Sequence, residues 1–397
     1  IAAWREAQGA EKDETSWRNN QRNLAGALDE TGTANAYAEA AAAWNALLVR
    51  LGDGATPAER ADLLEKKGLS LHNQAAVETD AGAVSAARRA AIEAYRGAAA
   101  LLGTDAIDAR IRLGENLGDL LKAEGDLAGD EAQVREAASF YAVVLEPTAA
   151  SVDPAIVRRM RLKYANALLS VAYATGDGTA LPAVVDRFAE IYGEKPGASE
   201  IGDGWSDAAA YGNALRMLGQ RRAATALLAR ASAVLAAAAD AAGASLDPDG
   251  AAWLDANRAE TLTSLAHAGR DAEAAREAVA FSRRAVAHYT EQAYPAGWRG
   301  PHGGLASALL VLGDLAGDAA AFEEAAAVYR RLIEATPRPQ EDLAWADYAN
   351  GRAYALANAA RLGKGDIAAL EGAVTLAREA RAVFAAQAPA SVPHVDD

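Results

Sequence analysis

The sequence predicts an all-α protein, an α-α superhelix of about eight antiparallel helix pairs, and three observations carry that prediction. Glycines at 32, 82, 125, 176, 219, 269, 313 and 363 are separated alternately by 43–44 and 50–51 residues, so alternate members recur every 93–94. The chain therefore reads as four tandem double repeats of about 94 residues, and a period of that kind marks a solenoid in which each repeat stacks on its neighbours. Alanine supplies most of the 51% hydrophobic content; it is the strongest helix former and its small side chain lets helices approach closely. With 12 prolines and no sustained alternation of β-branched residues, no sheet is predicted.

Each repeat consists of a first helix, A, a turn at the periodic glycine, and a second helix, B. In chain order the expected pairs are Trp17–Glu30 with Ala36–Leu51, Pro57–Thr79 with Ala83–Leu102, Ala106–Ala123 with Glu131–Leu145, and Pro154–Thr175 with Leu181–Tyr192. They continue as Trp205–Leu218 with Arg222–Ala241, Asp249–Ala268 with Asp271–Gln292, Trp298–Leu312 with Ala319–Ala335, and Glu341–Leu362 with Ile367–Ala386. Leu24/Leu28, Leu117/Leu121, Tyr211/Leu215 and Leu305/Leu309 form the apolar stripe of helix A, four residues apart on one face. Helix B is best preserved in Tyr37–Leu48, Val134–Leu145 and Phe322–Ile333, where large residues recur at helical spacing among alanines.

Pro57, Pro154 and Asp247-Pro-Asp-Gly250 stand where an A helix should open. The periodic glycines are expected to be left-handed C-caps, with Asp126, Asp177 and Asp314 capping the helix that follows. Gly300-Pro-His-Gly-Gly304 falls inside an A helix and is expected to break or delay it. Residues 1–14 read either as the end of a preceding repeat helix, with the array or another domain continuing upstream, or as an N-terminal remnant that is helical. Residues 15–386 form the solenoid, and the Ala/Pro/Ser-rich stretch 387–397 is a tail.

A net charge of −15 opposes nucleic-acid and anionic-membrane binding, which need clustered lysine and arginine. No apolar run approaches the length of a transmembrane helix, about 20 residues. The absence of cysteine excludes disulfides, thiolate metal sites and cysteine nucleophiles and suits either cytoplasm or periplasm. The five histidines, His72, His267, His288, His302 and His394, are scattered without metal-ligand spacing. Asp247-Pro-Asp249-Gly250 lacks the remaining ligands of a calcium loop and reads as a helix-capping turn. The recurring tryptophans read as core wedges. No enzyme, metal or cofactor is predicted.

Leu24-Ala25…Gly32, Leu117-Gly118…Gly125 and Leu305-Ala306…Gly313 share a leucine, a small residue and a glycine eight positions past the leucine. With Trp17, Trp205 and Trp298 opening A helices, and Trp17-Arg-Asn-Asn-Gln-Arg-Asn-Leu24 in particular, the chain resembles the tetratricopeptide repeat proteins. The likeness is to the long-repeat bacterial form often attached to effector or signalling domains. It covers nearly the whole chain, although the repeat of 43–51 residues exceeds the family's usual length. The resemblance implies a superhelix whose concave face is lined by A helices. It also implies that an asparagine just before the A-helix leucine contacts a peptide backbone or carboxylate.

The matching positions, nine before each periodic glycine, hold Asn23, Asn73 and Asn116, preceded by Arg22, His72 and Glu115. Asn19 and Arg112 lie four residues upstream of Asn23 and Asn116, with Lys163 and Asn166 nearby in the fourth repeat. The pattern fades C-terminally, where the same positions are Ala210, Glu260, Gly304 and Tyr354. Asparagine inside a helix costs roughly 0.5 kcal/mol against alanine, so the recurrence has a reason. One is a structural hydrogen bond between adjacent repeats; the other is a polar groove for a protein or peptide segment bearing an acidic group. A binding scaffold is the expected function, and its rival is the sensor or autoinhibitory array of a larger effector enzyme of TIR or caspase-like type.

Overall fold

The computed structural model describes residues 1–7, 13–175, 178–243, 246–364 and 367–387. Gly176, Asp177, His394 and residues 388–397 of the predicted tail lie outside them. The fold is all-α: eighteen α-helices and no strand occur among the described residues. The eight predicted pairs are α2 (Glu14–Asp29) with α3 (Ala34–Leu51), α4 (Pro57–Val77) with α5 (Ala81–Ala99), α6 (Ile107–Ala128) with α7 (Glu131–Tyr141), and α8 (Pro154–Thr175) with α9 (Leu181–Tyr192). They continue as α11 (Trp205–Arg221) with α12 (Thr225–Ala242), α13 (Pro248–Gly269) with α14 (Ala272–His288), α15 (Arg299–Ala316) with α16 (Ala319–Glu334), and α17 (Asp342–Arg361) with α18 (Ile367–Gln387). Two short helices, α1 (Ala2–Ala7) and α10 (Ala198–Ile201), complete the set. Trp4 of α1 packs on Leu24, Leu28, Ala36 and Ala40. The chain divides into two compact units, residues 1–187 and 188–397.

Within each unit, the reason for the glycine period differs from the expected one. Of the periodic glycines described, only Gly32 and Gly363 have positive φ. Gly125, Gly219 and Gly313 lie inside A helices, where a Cβ would come within 2.6 Å of Val134, 2.9 Å of Leu228 and 2.8 Å of the Phe322 ring. Seven residues earlier, a Cβ on Gly118 or Gly212 would stand 2.5 Å from Tyr141 or 2.6 Å from Leu235. Ala306, fully buried, holds the equivalent place in α15. The two positions are two turns apart on one face of helix A, and helix B crosses there in the same antiparallel register each time. Close helix approach, not left-handed backbone, fixes these glycines.

After α6, α11, α13, α15 and α17, left-handed residues come just past the A helix, at Gly129, Ala223, Arg270, Gly317 and Gly363. Each closes a Schellman motif, with Asp130, Ala224, Asp271, Asp318 and Lys364 donating backbone N–H to the carbonyls of Gly125, Gly219, Ala266, Gly313 and Ala359 at 2.8–3.2 Å. The caps shift accordingly. Asp126 and Asp314 lie inside A helices, and the carboxylates of Asp130 and Asp318 accept from the first amides of α7 and α16. In Gly125-Asp-Leu-Ala-Gly129-Asp130, then, one glycine serves packing, the second the turn, and the second aspartate the cap.

Other departures are local. α15 runs uninterrupted through Gly300-Pro-His-Gly-Gly304, because Pro301 sits in the first turn, where no intrahelical N–H is needed. Residues Ala142–Leu145 form a 3-10 turn rather than the end of α7. α14 stops at His288 instead of Gln292, where His288, Tyr294 and Tyr289 gather on Asp249. The Asp247 turn caps α13 as expected, accepting from the Gly250 amide at 2.6 Å. Trp17, Trp44, Trp298 and Trp345 are buried, whereas Trp253 is 37% exposed. Contrary to the expectation from sequence, one helix among the described residues, Thr225–Ala242, is long and apolar enough to cross a membrane by length and composition alone. It carries Arg230 and Asp240 and packs Leu228, Val234 and Leu235 into the core.

Candidate functional site

In the first unit, the A helices α4, α6 and α8 are tied side by side by charge. Arg112 grips Glu65 with Nε and Nη2 at 3.1 and 3.2 Å, and Arg159 grips Glu115 likewise at 2.8 and 3.0 Å. Lys163 lies 3.3 Å from Glu115 and 2.5 Å from Asp119, whose second oxygen accepts from Tyr141 Oη at 2.6 Å. The carboxylates sit deeper than the cations: Glu65 is 16% and Glu115 25% exposed, against 58% for Arg112 and 51% for Arg159. Each guanidinium is thus held in plane from beneath by a bidentate pair, the geometry that makes arginine selective for carboxylate.

Titration follows from these contacts. Burial on its own would raise the Glu115 carboxyl, but Arg159 and Lys163 outweigh it and hold Glu115 below the usual carboxylate range. Glu65 and Glu115 hold Arg112 and Arg159 protonated. Burial, then the bond to Asp119, pushes the Tyr141 phenol up. His72, half-buried beside this network, is pushed down by burial against the opposing pull of Asp119.

The sequence-predicted residues separate into two groups. Arg112, Glu115 and Lys163 belong to the ion-pair network, and Asn166 donates to the Leu162 carbonyl of its own helix at 3.1 Å. Asn23, Asn73 and Asn116 make no side-chain hydrogen bond among the described residues, nor do Asn19, Arg22 or His72. Asn19, Arg22 and Asn23 are exposed, and His72, Asn73 and Asn116 half-buried. The recurrent asparagines are therefore not the rivets between repeats; the arginine and lysine pairs are. Asp119, Glu65 and Arg159 are the members that sequence reasoning missed. Their signal was present as opposite charges 44–47 residues apart, one repeat along the chain.

In two repeats of the second unit, the same register is spent on bridging. Glu260 pairs with Arg216 at 3.1 Å, and Tyr354 Oη donates to Asp314 at 2.9 Å. Gln220 donates to Ser264 Oγ at 2.7 Å. Beside that bond opens a cavity of about 630 Å³ lined by Ala223, Leu228, His267 and Val311. No group of three or more metal-ligating side chains occurs among the described residues.

No protein-family model matches the chain, and no curated protein matches it. Among solved structures, one described as a circular tandem repeat protein with novel repeat topology and enhanced subunit contact surfaces aligns over 94% of this chain and 90% of its own, at 17% identity and a TM-score of 0.28.

Proposed function

We propose that the chain is a non-catalytic, tetratricopeptide-like scaffold that binds a protein or peptide segment on the A-helix face of its first unit, with acidic groups of the partner meeting Arg112 and Arg159. The observation that carries this reading is the pair of half-buried asparagines, Asn73 and Asn116, left without side-chain partners among the described residues, on the same A helices whose Glu65 and Glu115 fix Arg112 and Arg159. An asparagine amide offers both a donor and an acceptor to a peptide backbone, and the remaining Nη1 of each arginine offers N–H donors to a carboxylate. Because the arginines are already immobilised, less side-chain entropy is lost on binding.

The test is an array of extended peptides with and without paired Asp or Glu residues, probed with the whole chain. Acidic members are expected to be retained. Asn73→Ala with Asn116→Ala is expected to weaken retention by about tenfold without lowering the melting temperature. Equal retention of neutral and acidic peptides, or binding indifferent to the double variant, would sink the proposal.

A further inference from the structure

In the second unit, α18 is the B helix that packs against α17. Its inner side is committed, with Ala373, Ala380, Val383 and Phe384 buried against α17. Its outer side carries Ile367, Leu370 and Val374 at 76%, 41% and 48% exposure, at the i, i+3, i+7 spacing of one stripe. Large apolar residues clustered at helical spacing on an exposed helix mark an interaction surface rather than the ordinary scatter of surface leucines.

The charges on that stripe identify what covers it. Glu371 and Arg378 are two turns apart on the same face, both exposed, and neither side chain forms an ion pair among the described residues. They are symmetric about the point between Val374 and Thr375. An antiparallel copy of the helix, related by a two-fold axis through that point, sets Glu371 opposite Arg378 of the partner subunit and repeats the pair on the other side of the axis. Val374 then lies beside the axis, and Ile367 meets the small Ala382 of the partner subunit. A parallel arrangement would oppose like charges, which is costly at an interface. Self-complementarity of one patch is the requirement of an isologous dimer. We propose that the second copy is the occupant: the chain forms a two-fold dimer through antiparallel pairing of α18.

Sedimentation equilibrium of the whole chain over a range of concentrations tests this. A monomer–dimer equilibrium is expected. Glu371→Arg or Arg378→Glu alone, each setting like charges face to face, should weaken the dimer by about tenfold or more, and the double exchange should restore it. Val374→Asp should give monomer with an unchanged helical circular dichroism spectrum, separating loss of the interface from loss of fold. A chain that stays monomeric at every concentration overturns the proposal and leaves a different partner as the stripe's cover. A dimer that survives Glu371→Arg and Val374→Asp also overturns it, as does failure of the double exchange to restore association.

Discussion

Nine residues before each periodic glycine, the two units put one register to different uses. The first unit holds asparagines there in three of its four repeats, bonded to nothing described, and leaves lateral cohesion of its A helices to Arg112–Glu65, Arg159–Glu115 and Lys163–Asp119. The second unit holds Glu260 and Tyr354 there in two of its four repeats, and these bridge to neighbouring A helices themselves; Ala210 and Gly304 take the other two. One backbone design thus supports two surfaces, one whose side-chain amides are left uncommitted among the described residues and one whose polar side chains bridge neighbouring helices.

The largest effect that sharpens the contrast comes from the helix crossings. Gly118→Ala drives a Cβ into Tyr141, a fully buried ring whose hydroxyl is tethered to Asp119, and is expected to cost about 2–3 kcal/mol. Gly212→Ala meets Leu235, which has no such tether, and about 1 kcal/mol is expected. Hydrogen exchange read separately in each unit checks the ranking. Equal costs would show that the tether does not stiffen the first unit.

A smaller effect separates charge from neutral bonding. Glu115→Ala leaves Arg159 and Lys163 short of a partner and should cost about 1 kcal/mol at low salt, with much of the loss screened out near 1 M salt. Ser264→Ala removes the neutral bond that Ser264 accepts from Gln220 and should cost about 0.5–1 kcal/mol irrespective of salt. Denaturation at both ionic strengths decides, and a salt-independent Glu115→Ala would break the distinction.

The smallest effect is in acid. Glu115 is held below its ordinary range by Arg159 and Lys163. It contributes stability above the unfolded carboxylate value of about 4.3, and loses it as pH falls through the lower folded value. Glu115→Gln should flatten that acid limb. His72 acts higher: its folded value is depressed by burial, so the folded state loses stability as pH falls below about 6.5. His72→Gln should remove that slope while leaving the acid limb of Glu115 in place.

Much of the fold was legible because period, alanine content and leucine stripes all speak of the same helices, and the eight pairs fall where they were expected within a few residues. What misled was the glycine. A glycine after an apolar run looks the same whether it ends a helix or lets another helix cross it, and only the partner side chain, Val134, Leu228 or Phe322, tells the two apart. The Pro301 run misled for a related reason, since a proline in a first turn cannot be distinguished from a breaker until the helix start is known. The asparagine register was readable from the count, but the fate of each side chain depended on neighbours 44–47 residues away. Arg112 and Lys163 looked like free groove cations because Glu65 and Asp119 become adjacent only after the repeats stack.

Three of the five Schellman turns hold glycine at the left-handed position, and two hold Ala223 and Arg270 at φ 47° and 54°. For a side-chain-bearing residue, that backbone costs roughly 1–2 kcal/mol, offset in part by the smaller entropy that alanine or arginine surrenders on folding. Both strained turns belong to consecutive repeats, following α11 and α13. On warming, these joints should be the first to breathe, so opening in this unit begins from within rather than by fraying from an end. The same two positions are where a single glycine would quiet the array without touching either face it presents.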